Sequence, residues 1–283
     1  MMANKDLPDY IRYWFREDVG EGDHSSLACI PAGSEGRAKL LVKQDGILAG
    51  VRVAELVLAA TDKSLSIEKL IGDGAEVKKG DVAFFVNGNI LSILRSERLV
   101  LNIMQRMSGI ATSTAEYVAR LKGLNTKVLD TRKTAPGMRI LEKEAVRLGG
   151  GFNHRMGLYD MIMLKDNHIE FAGGIKPAIE KTIAYLKSRG LDLKIEIEAR
   201  NLDEVAEIMA IGNVDRIMLD NFTVAGTRQA VGLIRGRFET ESSGGITLEN
   251  IRDYASCGVD FVSVGAITHH LRSLDMSLKA VKD

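Results

Sequence analysis

"KIEIEARNLDEVAEIMAIGNVDRIMLD", residues 194–220, contains two short apolar runs with an amphipathic segment between them. The outer runs have the length of buried strands. The segment between them repeats apolar residues every three to four positions and ends at Gly212. This spacing is typical of a helix, and a glycine is a common helix stop. A strand, a helix and a second strand in so short a stretch predict a βα unit of a parallel sheet.

The same pattern recurs through the second half of the chain. The apolar runs are KVLD (127–130), MIMLK (161–165), KIEIEA (194–199), RIMLD (216–220), FETES (238–242) and FVSVG (261–265). Six or so βα units suit a barrel, although a doubly wound sheet has the same local pattern. The barrel is favoured because no strand is followed by the GxGxxG motif of dinucleotide-binding sheets.

The first hundred residues have a different rhythm. RAKLLVKQDGILAG and VKKGDVAFFVNGN are short alternating runs broken by Gly, Asp and Asn, which predict antiparallel strands and tight turns. GVRVAELVLAATDK between them has helical spacing. A long helix is predicted from about residue 93 to 121, with a break near Ser108 and Gly109.

Bulk composition excludes several classes of function. Lys+Arg and Asp+Glu number 38 each among 283 residues, and aromatic residues make up 5%. A nucleic-acid partner is therefore disfavoured. No apolar run approaches a membrane span, and the N-terminus has no apolar signal region, so we predict a cytoplasmic protein without a membrane partner. Cys29 and Cys257 lack metal-ligand spacing and are predicted to be small buried thiols.

Cations cluster where the predicted strands end. Arg132 and Lys133 follow one strand, Lys165 ends the next, and His154 and Arg155 follow three glycines. In parallel α/β folds, ligands bind at the carboxyl ends of the strands. Because clustered cations repel each other unless an anion lies among them, the pattern predicts a ligand with several negative charges. The alternative is internal pairing of one or two of these cations, with acids at positions 142, 144 or 166.

Acids and glycines occupy the other strand ends. Glu196 and Glu198 point to the same face of one strand, and with Asp220 they suit sugar hydroxyls or Mg²⁺. A structural ion pair is the alternative. SSGGIT (242–247) and Gly265 allow a close backbone approach, and a helix beginning near Thr247 and Leu248 would direct N–H groups at a phosphate.

The remaining polar candidates have plainer interpretations. Arg98 lies beside an apolar stripe of the long helix, where an arginine usually extends to solvent. His168, in DNHI, is predicted to cap and position the loop after Lys165, and His269 and His270 carry no assigned role.

DTRKTAPGMRILEKEAVRLGGGFNHRMGLYDMIMLKDNHI (130–169) closely resembles the central signature of the quinolinate phosphoribosyltransferases, the decarboxylating enzymes of NAD synthesis. The resemblance covers nearly the whole chain. EDVGEGDHSS (17–26) is similar to the N-terminal motif of the family and SERLVLNIMQRMSGIAT (96–112) to its linking helix. IEIEA, IMLDNF, SGGIT and VSVGAITHHLRSLDMSLK follow in the order of the family.

The resemblance implies a two-domain α/β fold. The N-terminal domain, residues 1–108, would be an open α/β sandwich with residues 271–283 packing back onto it. Residues 109–270 would form an incomplete α/β barrel of six or seven strands. It also implies a homodimer or higher oligomer with a shared active site, and Arg98 matches the family arginine that reaches the substrate carboxylate of the partner subunit.

Carried over by position, the family's site residues fall into two groups. Quinolinate would be held by Arg132, His154, Arg155 and Lys165, together with Arg98 of the other protomer. Phosphoribosyl pyrophosphate would contact Lys133, Glu198, Asp220, Ser243, Gly244, Gly245 and Gly265. Mg²⁺ would lie near Glu198 and Asp220, held largely through pyrophosphate and water.

The implied reaction joins the pyridine nitrogen to ribose C1 and releases pyrophosphate and CO₂. Lys133, Lys165, Glu198 and Asp220 would be the catalytic groups, and either lysine could stabilise the carbanion or deliver its proton. The alternatives are a paralogue on the same scaffold that uses nicotinate or another anionic ring, and a barrel that binds anions without turnover.

Overall fold

A computed structural model describes residues 7–281, which divide into two compact units. The first contains residues up to 115, residues 134–150 and residues from 270 onward; the second contains 116–133 and 151–269. The predicted boundaries, 1–108 with 271–283 and 109–270, assign 134–150 to the barrel, whereas the structure groups this segment with the first unit. Residues 1–6, 282 and 283 of the predicted domains lie outside the described part.

The first unit combines a small sheet with several helices. Before residue 121 the elements are α1 Leu7–Val19, α2 His24–Cys29, β1 Glu35–Val42, β2 Gly46–Ile47, α3 Val51–Thr61, β3 Ser66–Lys69, β4 Glu76–Val77, β5 Val82–Asn89 and α4 Ile90–Arg120. Later in the chain come α5 Arg139–Leu148 and β12 Met276–Ala280.

Antiparallel pairing holds this unit together. Its main sheet has the order β12-β1-β5-β3, and β2 pairs with β4. Along β1, Ala38, Leu40 and Val42 are buried and their neighbours are more exposed, which is the alternation expected of a sheet with one covered face. The predicted antiparallel strands of the first hundred residues are confirmed.

Helix α4 runs unbroken through its 31 residues, so the predicted break near Ser108 and Gly109 is wrong. The hydroxyl of Ser108 accepts a hydrogen bond from the Ala49 amide and donates one to the Ala49 carbonyl. At Gly109, a Cβ would lie 2.1 Å from the carbonyl oxygen of Arg272. The two small residues serve close packing against other segments of the first unit.

The second unit alternates strands and helices. In chain order its elements are β6 Lys127–Leu129, β7 Ile162–Leu164, α6 Asp166–Ala172, α7 Ile175–Arg189, β8 Ile195–Ala199, α8 Leu202–Ile211, β9 Arg216–Asp220, α9 Val224–Ile234, β10 Glu239–Ser243, α10 Ile251–Ala255, β11 Phe261–Ser263 and α11 Ala266–His269. Each of the six predicted apolar runs forms one of these strands.

The six strands form one parallel sheet in the order β6-β11-β10-β9-β8-β7. The order is circular, because the first strand of the series pairs with the last. Among the described residues no pairing joins β6 to β7, which leaves the circle open between them. This arrangement confirms the predicted incomplete α/β barrel.

The core of this unit lies on both faces of the sheet. Every residue of β8 is buried, and Ile197, Ile217 and Val262 are fully enclosed. Such strands are characteristic of parallel sheets covered by helices. Cys257 is also buried, as predicted, but Cys29 in the first unit is exposed, so that part of the cysteine prediction is wrong. None of the described helices is long and apolar enough to cross a membrane.

Candidate active site

A cavity of about 550 Å³ opens at the carboxyl ends of the parallel strands. It is lined by Thr131, Arg132, Lys133, His154, Arg155, Met163, Lys165, Asp166, Glu198, Met218, Asp220, Asn221, Glu241, Ser243, Gly244, Gly245 and Ser263. All the predicted site residues except Arg98 and Gly265 are in this lining. The lining residues lie on the strands or directly after them, and in the segment between β6 and β7.

Asp130, fully buried at the end of β6, organises the cationic side of the cavity. One of its carboxylate oxygens accepts a hydrogen bond from the Asn153 side chain at 2.6 Å, and the other accepts the His154 amide at 2.8 Å. The segment carrying His154 and Arg155 is thereby held beside the end of β6, where Arg132 and Lys133 follow.

His154 and Arg155 are buried in this segment, each with 9% of its surface exposed. Nδ1 of the His154 ring accepts the backbone N–H of Arg155 at 2.6 Å, and the Arg155 guanidinium donates to the Met161 carbonyl at 3.3 Å. Burial, and then the nearby guanidinium of Arg132, lower the pKa of Arg155. Two arginines this close favour an anion between them.

The alternative explanation of the cations, pairing with nearby acids, fails at two of its three positions. Glu142 instead binds Arg106 at 2.6 Å and Glu144 binds Arg52 at 2.7 Å, both within the first unit. Asp166 does line the cavity.

Lys165 extends from the end of β7 towards β8, where its ammonium lies 2.5 Å from Glu198. Its backbone amide donates to Nδ1 of His168 at 2.9 Å. The predicted capping role of His168 is therefore confirmed. Lys165 is thus fixed on the side of the cavity that also carries Arg155.

Glu198 and Asp220 supply carboxylates at the ends of adjacent strands, β8 and β9. Glu198 is buried apart from the edge that lines the cavity, and Asp220 is partly exposed. Asn221 donates to Asp220 at 2.8 Å and holds a left-handed backbone with φ of 55°, which asparagine tolerates better than most residues. Oxygen ligands of this kind suit Mg²⁺, so the two acids fit a site for a hydrated or phosphate-bound ion.

The turn after β10 brings bare backbone to the cavity. Gly244 and Gly245 have φ of +91° and +62°, and a Cβ at Gly244 would lie 2.1 Å from the side-chain oxygen of Asn221. Only glycine fits at Gly244 without displacing its neighbour. α10 begins at Ile251, and a helical turn from Thr247 precedes it: the Ile251 amide donates to the Thr247 carbonyl at 3.0 Å, and the Asn250 side chain accepts the Thr247 amide at 2.8 Å. The predicted helix start near Thr247 therefore precedes α10 by about one turn.

Gly265 follows β11 and borders the same turn region from the other side. A Cβ there would lie 3.1 Å from Cδ of Lys133 and 3.0 Å from Nε2 of His269. The Thr268 hydroxyl donates to the Lys133 carbonyl at 2.7 Å. Lys133 is thereby attached to the β11 side of the cavity, whereas Lys165 lies at β7. Arg98 is exposed on α4 in the first unit and is not in the cavity lining.

Glu196, which the sequence interpretation placed with sugar hydroxyls or Mg²⁺, is fully buried and is not in the cavity lining, so that placement is wrong. It belongs to a buried charged cluster beneath the cavity whose other members, Glu241 and Arg216, the sequence interpretation missed. Glu196 on β8 and Glu241 on β10 have no exposed surface, and Arg216 on β9 lies between those strands. Arg216 binds Glu241 at 2.9 Å and Glu239 at 3.1 Å. The available signal was a set of acids spaced two apart in strands on either side of Arg216.

Burial raises the pKa of Glu196 to about 7 and that of Glu241 to about 8, the latter also because Glu196 is close. With His154 they are the only described trio of His, Cys, Asp or Glu residues whose ligand atoms, all within 4.8 Å, could surround a metal. Arg216 already binds the Glu241 oxygen that faces His154. A proton therefore suits this pair of carboxyl groups better than a metal cation does.

Two family models together match most of the chain. One, described as the N-terminal domain of quinolinate phosphoribosyl transferase, matches residues 23–108, and the other, the C-terminal domain, matches residues 110–279.

Curated relatives and solved structures agree with the family models. Over 289 residues the chain is 44% identical to "Quinolinate phosphoribosyltransferase [decarboxylating] 2b, mitochondrial" of Nicotiana tabacum, covering 97% of this chain and 82% of the relative. Identity is 45%, with the same coverage, to "Nicotinate-nucleotide pyrophosphorylase [carboxylating], chloroplastic" of Arabidopsis thaliana. The crystal structure of NadC from Streptococcus pyogenes has a TM-score of 0.93 and 38% identity, covering 100% of this chain and 99% of that one.

Proposed function

Because the chain belongs to the quinolinate phosphoribosyltransferase family, we propose that it transfers phosphoribosyl from phosphoribosyl pyrophosphate to quinolinate with decarboxylation. The products are nicotinate mononucleotide, pyrophosphate and CO₂. One observation carries the proposal: a single cavity joins Arg132 and the buried Arg155 on one side to a glycine turn and two carboxylates on the other.

Quinolinate would lie on the side formed by Arg132, His154, Arg155 and Lys165. Guanidinium groups match planar carboxylates through two parallel hydrogen bonds, so two close arginines suit a ring with two carboxylates. Burial, and second the repulsion from Arg132, lower the pKa of Arg155, and an anion bound between the two guanidinium groups would relieve that repulsion.

Phosphoribosyl pyrophosphate would occupy the opposite side. Its 5′-phosphate would meet the turn at Ser243, Gly244 and Gly245 and the adjacent Gly265, where backbone groups can approach closely. Lys133 would face the phosphates, and Glu198 and Asp220 the ribose hydroxyls. Mg²⁺ near these two acids, held largely through pyrophosphate and water, would supply charge neutralisation of the leaving group.

In the first step the lone pair of the pyridine nitrogen forms the bond to ribose C1. The C1–O bond breaks and its electron pair leaves with pyrophosphate. Glu198 and Asp220 would stabilise the positive charge that develops on the ribose. Arg132 and Arg155 would hold the ring in line for this displacement.

In the second step the bond between C2 and its carboxylate breaks, and CO₂ departs. The electron pair stays on C2, beside the now cationic ring nitrogen, and C2 then takes a proton. Both lysines remain candidates for donating it, but placement favours Lys165. Lys165 follows β7, next to the arginine side, and its ammonium binds Glu198 where the two sides meet, whereas Lys133 borders Gly265 on the phosphate side.

The proposed enzyme is a homodimer, or a higher oligomer of such dimers, in which Arg98 of each subunit completes the site of its partner. Its exposed position on α4 leaves the side chain available for such a contact.

Mixing two inactive variants tests this arrangement. In a 1:1 mixture of refolded Arg98→Ala and Lys165→Ala chains, half the dimers are mixed and each has one intact site. We therefore expect about a quarter of wild-type activity, from two variants that are each inactive alone. No recovery in mixtures that exchange subunits would exclude a shared site.

The substrate is tested by supplying phosphoribosyl pyrophosphate with ring-labelled quinolinate or with nicotinate. We expect CO₂ and pyrophosphate in equal amounts from quinolinate and no nucleotide from nicotinate. Turnover of nicotinate alone would indicate the paralogue. Tight quinolinate binding without pyrophosphate release would indicate a non-catalytic anion-binding barrel.

We also propose a cytoplasmic location. Lys+Arg and Asp+Glu are equal in number, and no described helix could span a membrane, which agrees with this location. The names of these plant relatives place those proteins in mitochondria or chloroplasts. Fractionation of cells that express the full chain would decide between these compartments.

A further inference from the structure

The proposed chemistry leaves the buried cluster beneath the cavity without a role. Glu196 is fully enclosed in β8, and nothing in the transfer reaction requires it to touch a substrate. Burying a carboxyl group is costly unless polar partners compensate for the loss of water. A role for Glu196 would explain why a carboxyl group lies at this buried position.

The surroundings of His154 connect this cluster to the substrate side. Nδ1 of the ring accepts the Arg155 amide, and Nε2 lies 2.9 Å from Glu196 and 3.5 Å from Glu241. A ring nitrogen that accepts a hydrogen bond carries no proton. The ring proton is therefore on Nε2, which faces the two carboxyl groups.

The ring thus stands between Glu196 on one side and the Arg155 backbone on the other. The amide of His154 is in turn held by Asp130. A carboxyl oxygen 2.9 Å from Nε2 favours the tautomer that carries the proton on Nε2, although the angle between the two groups falls outside hydrogen-bond geometry. An unprotonated Nδ1 then keeps the Arg155 amide in place. Loss of that oxygen would let the ring rotate or change tautomer.

We propose that Glu196 is a positioning residue of the quinolinate site, which fixes the tautomer of His154 and, through it, the location of Arg155. The inference rests on the proposed function, because it assigns Arg155 to a quinolinate carboxylate. Glu196 acts through His154 and does not touch the substrate.

Three substitutions of Glu196 separate positioning from bulk. Glu196→Leu removes the oxygen and keeps the volume, Glu196→Asp withdraws the carboxyl group by one methylene, and Glu196→Gln retains an oxygen that can accept Nε2–H. Glu239→Gln is the matched control, because Glu239 also binds Arg216 but is not among the groups close to His154.

We expect the Michaelis constant for quinolinate to rise about tenfold in Glu196→Leu and less in Glu196→Asp, since the buried Nε2–H of His154 loses the carboxyl oxygen next to it. The constant for phosphoribosyl pyrophosphate, and both constants in Glu196→Gln and Glu239→Gln, should stay within about threefold of wild type. Thermal unfolding confirms that each variant is folded. If Glu196→Leu does not fold, the contrast between Glu196→Asp and Glu196→Gln decides.

Nitrogen NMR of the ring-labelled protein reads the tautomer directly. The chain has five histidines, and the spectrum of His154→Gln identifies the signal of His154. We expect a protonated Nε2 and an unprotonated Nδ1 in wild type and Glu196→Gln, and loss of this pattern in Glu196→Leu or Glu196→Asp.

Three results would overturn the proposal: a proton on Nδ1 in the wild type, an unchanged quinolinate constant in the variants that lose the oxygen, or an equal rise in both constants. Wild-type CO₂ release is measured first. Its absence would reject the proposed function, whereas normal release with unaltered Glu196 variants would reject only the positioning role.

Discussion

The two sides of the cavity are built in different ways. On the side of β6, the 153–155 segment and β7, long cationic side chains line the cavity. Asp130 binds the backbone amide of His154, Glu198 binds Lys165, and the Met161 carbonyl accepts from Arg155. On the side of β9, β10 and β11, glycines and short polar side chains leave the backbone bare, with Asn221 packed against Gly244.

This difference matches two kinds of anion. A planar carboxylate is recognised by side chains that present a flat pair of donors, whereas a phosphate can be surrounded by several backbone N–H groups. The first side should therefore be sensitive to removal of charge, and the second to addition of atoms.

The largest expected effect is on the side of the cavity that presents cationic side chains. Arg155→Ala should lower kcat/KM for quinolinate about a thousandfold, because a carboxylate is left unpaired in a buried site. Steady-state kinetics measure the loss for quinolinate, and calorimetry measures the affinity for phosphoribosyl pyrophosphate. That affinity should change little. Arg200→Ala is the control, since Arg200 is exposed and pairs with Glu204. Near-normal turnover of Arg155→Ala would remove Arg155 from the quinolinate site.

Adding one carbon should break the backbone side. Gly244→Ala places a methyl group against Asn221 at a left-handed backbone position, so the turn must move. We expect kcat/KM for phosphoribosyl pyrophosphate to fall about a hundredfold, with quinolinate binding retained. Gly232→Ala is matched to it, since a Cβ at Gly232 has no heavy atom within 4 Å. A functional Gly244→Ala enzyme would show that phosphate binds elsewhere.

A smaller effect is expected at Lys133, the one long cationic side chain that we assign to the phosphate side of the cavity. Lys133→Ala should raise the Michaelis constant for phosphoribosyl pyrophosphate about tenfold, and less at high salt, because an exposed charge is screened. Lys127→Ala, at the opposite end of β6, serves as control. An effect as large as that of Gly244→Ala would mean that the phosphate side depends on charge after all.

The smallest expected effect is a pH dependence of the quinolinate side. As pH rises through about 7 and 8, Glu196 and Glu241 lose protons and add negative charge beneath the ring. The Michaelis constant for quinolinate should rise a few-fold, because the interaction between these carboxylates and the bound quinolinate is worth about one pKa unit or less. Glu241→Gln should flatten the profile, and an equal rise in that variant would assign the effect to other groups.

The same shifts have a consequence for stability, with a definite sign. Both carboxyl groups keep their protons at pH values where the unfolded chain, with a pKa of 4.5, has released them. The folded state then binds more protons than the unfolded state, so stability falls as pH rises from about 4.5 to 8.

Local patterns along the sequence were sufficient to predict the sheet and most of the cavity. Each apolar run became a strand, and polar residues at the strand ends converge because parallel strands all end at one edge. That convergence follows from topology alone. The roles of individual residues, including Arg98, remain proposals.

What the sequence pattern missed depends on contacts between distant segments. Arg216 and Glu241 are 25 residues apart, and only the strand pairing of β9 and β10 brings them together. The turn that precedes α10 depends on the Asn250 side chain, which accepts the Thr247 amide. Neither the pairing nor the turn has a signature in local hydrophobic periodicity.

The close approach of Arg272 to Gly109 reverses the usual ranking of residues in a helix. Alanine is the best helix former, and replacing an ordinary helical glycine with alanine stabilises the helix. Here its methyl group would meet the carbonyl oxygen of Arg272, in the segment between α11 and β12. In a library of all substitutions along α4, Gly109→Ala should therefore destabilise the protein more than polar substitutions do at many solvent-facing positions of the helix.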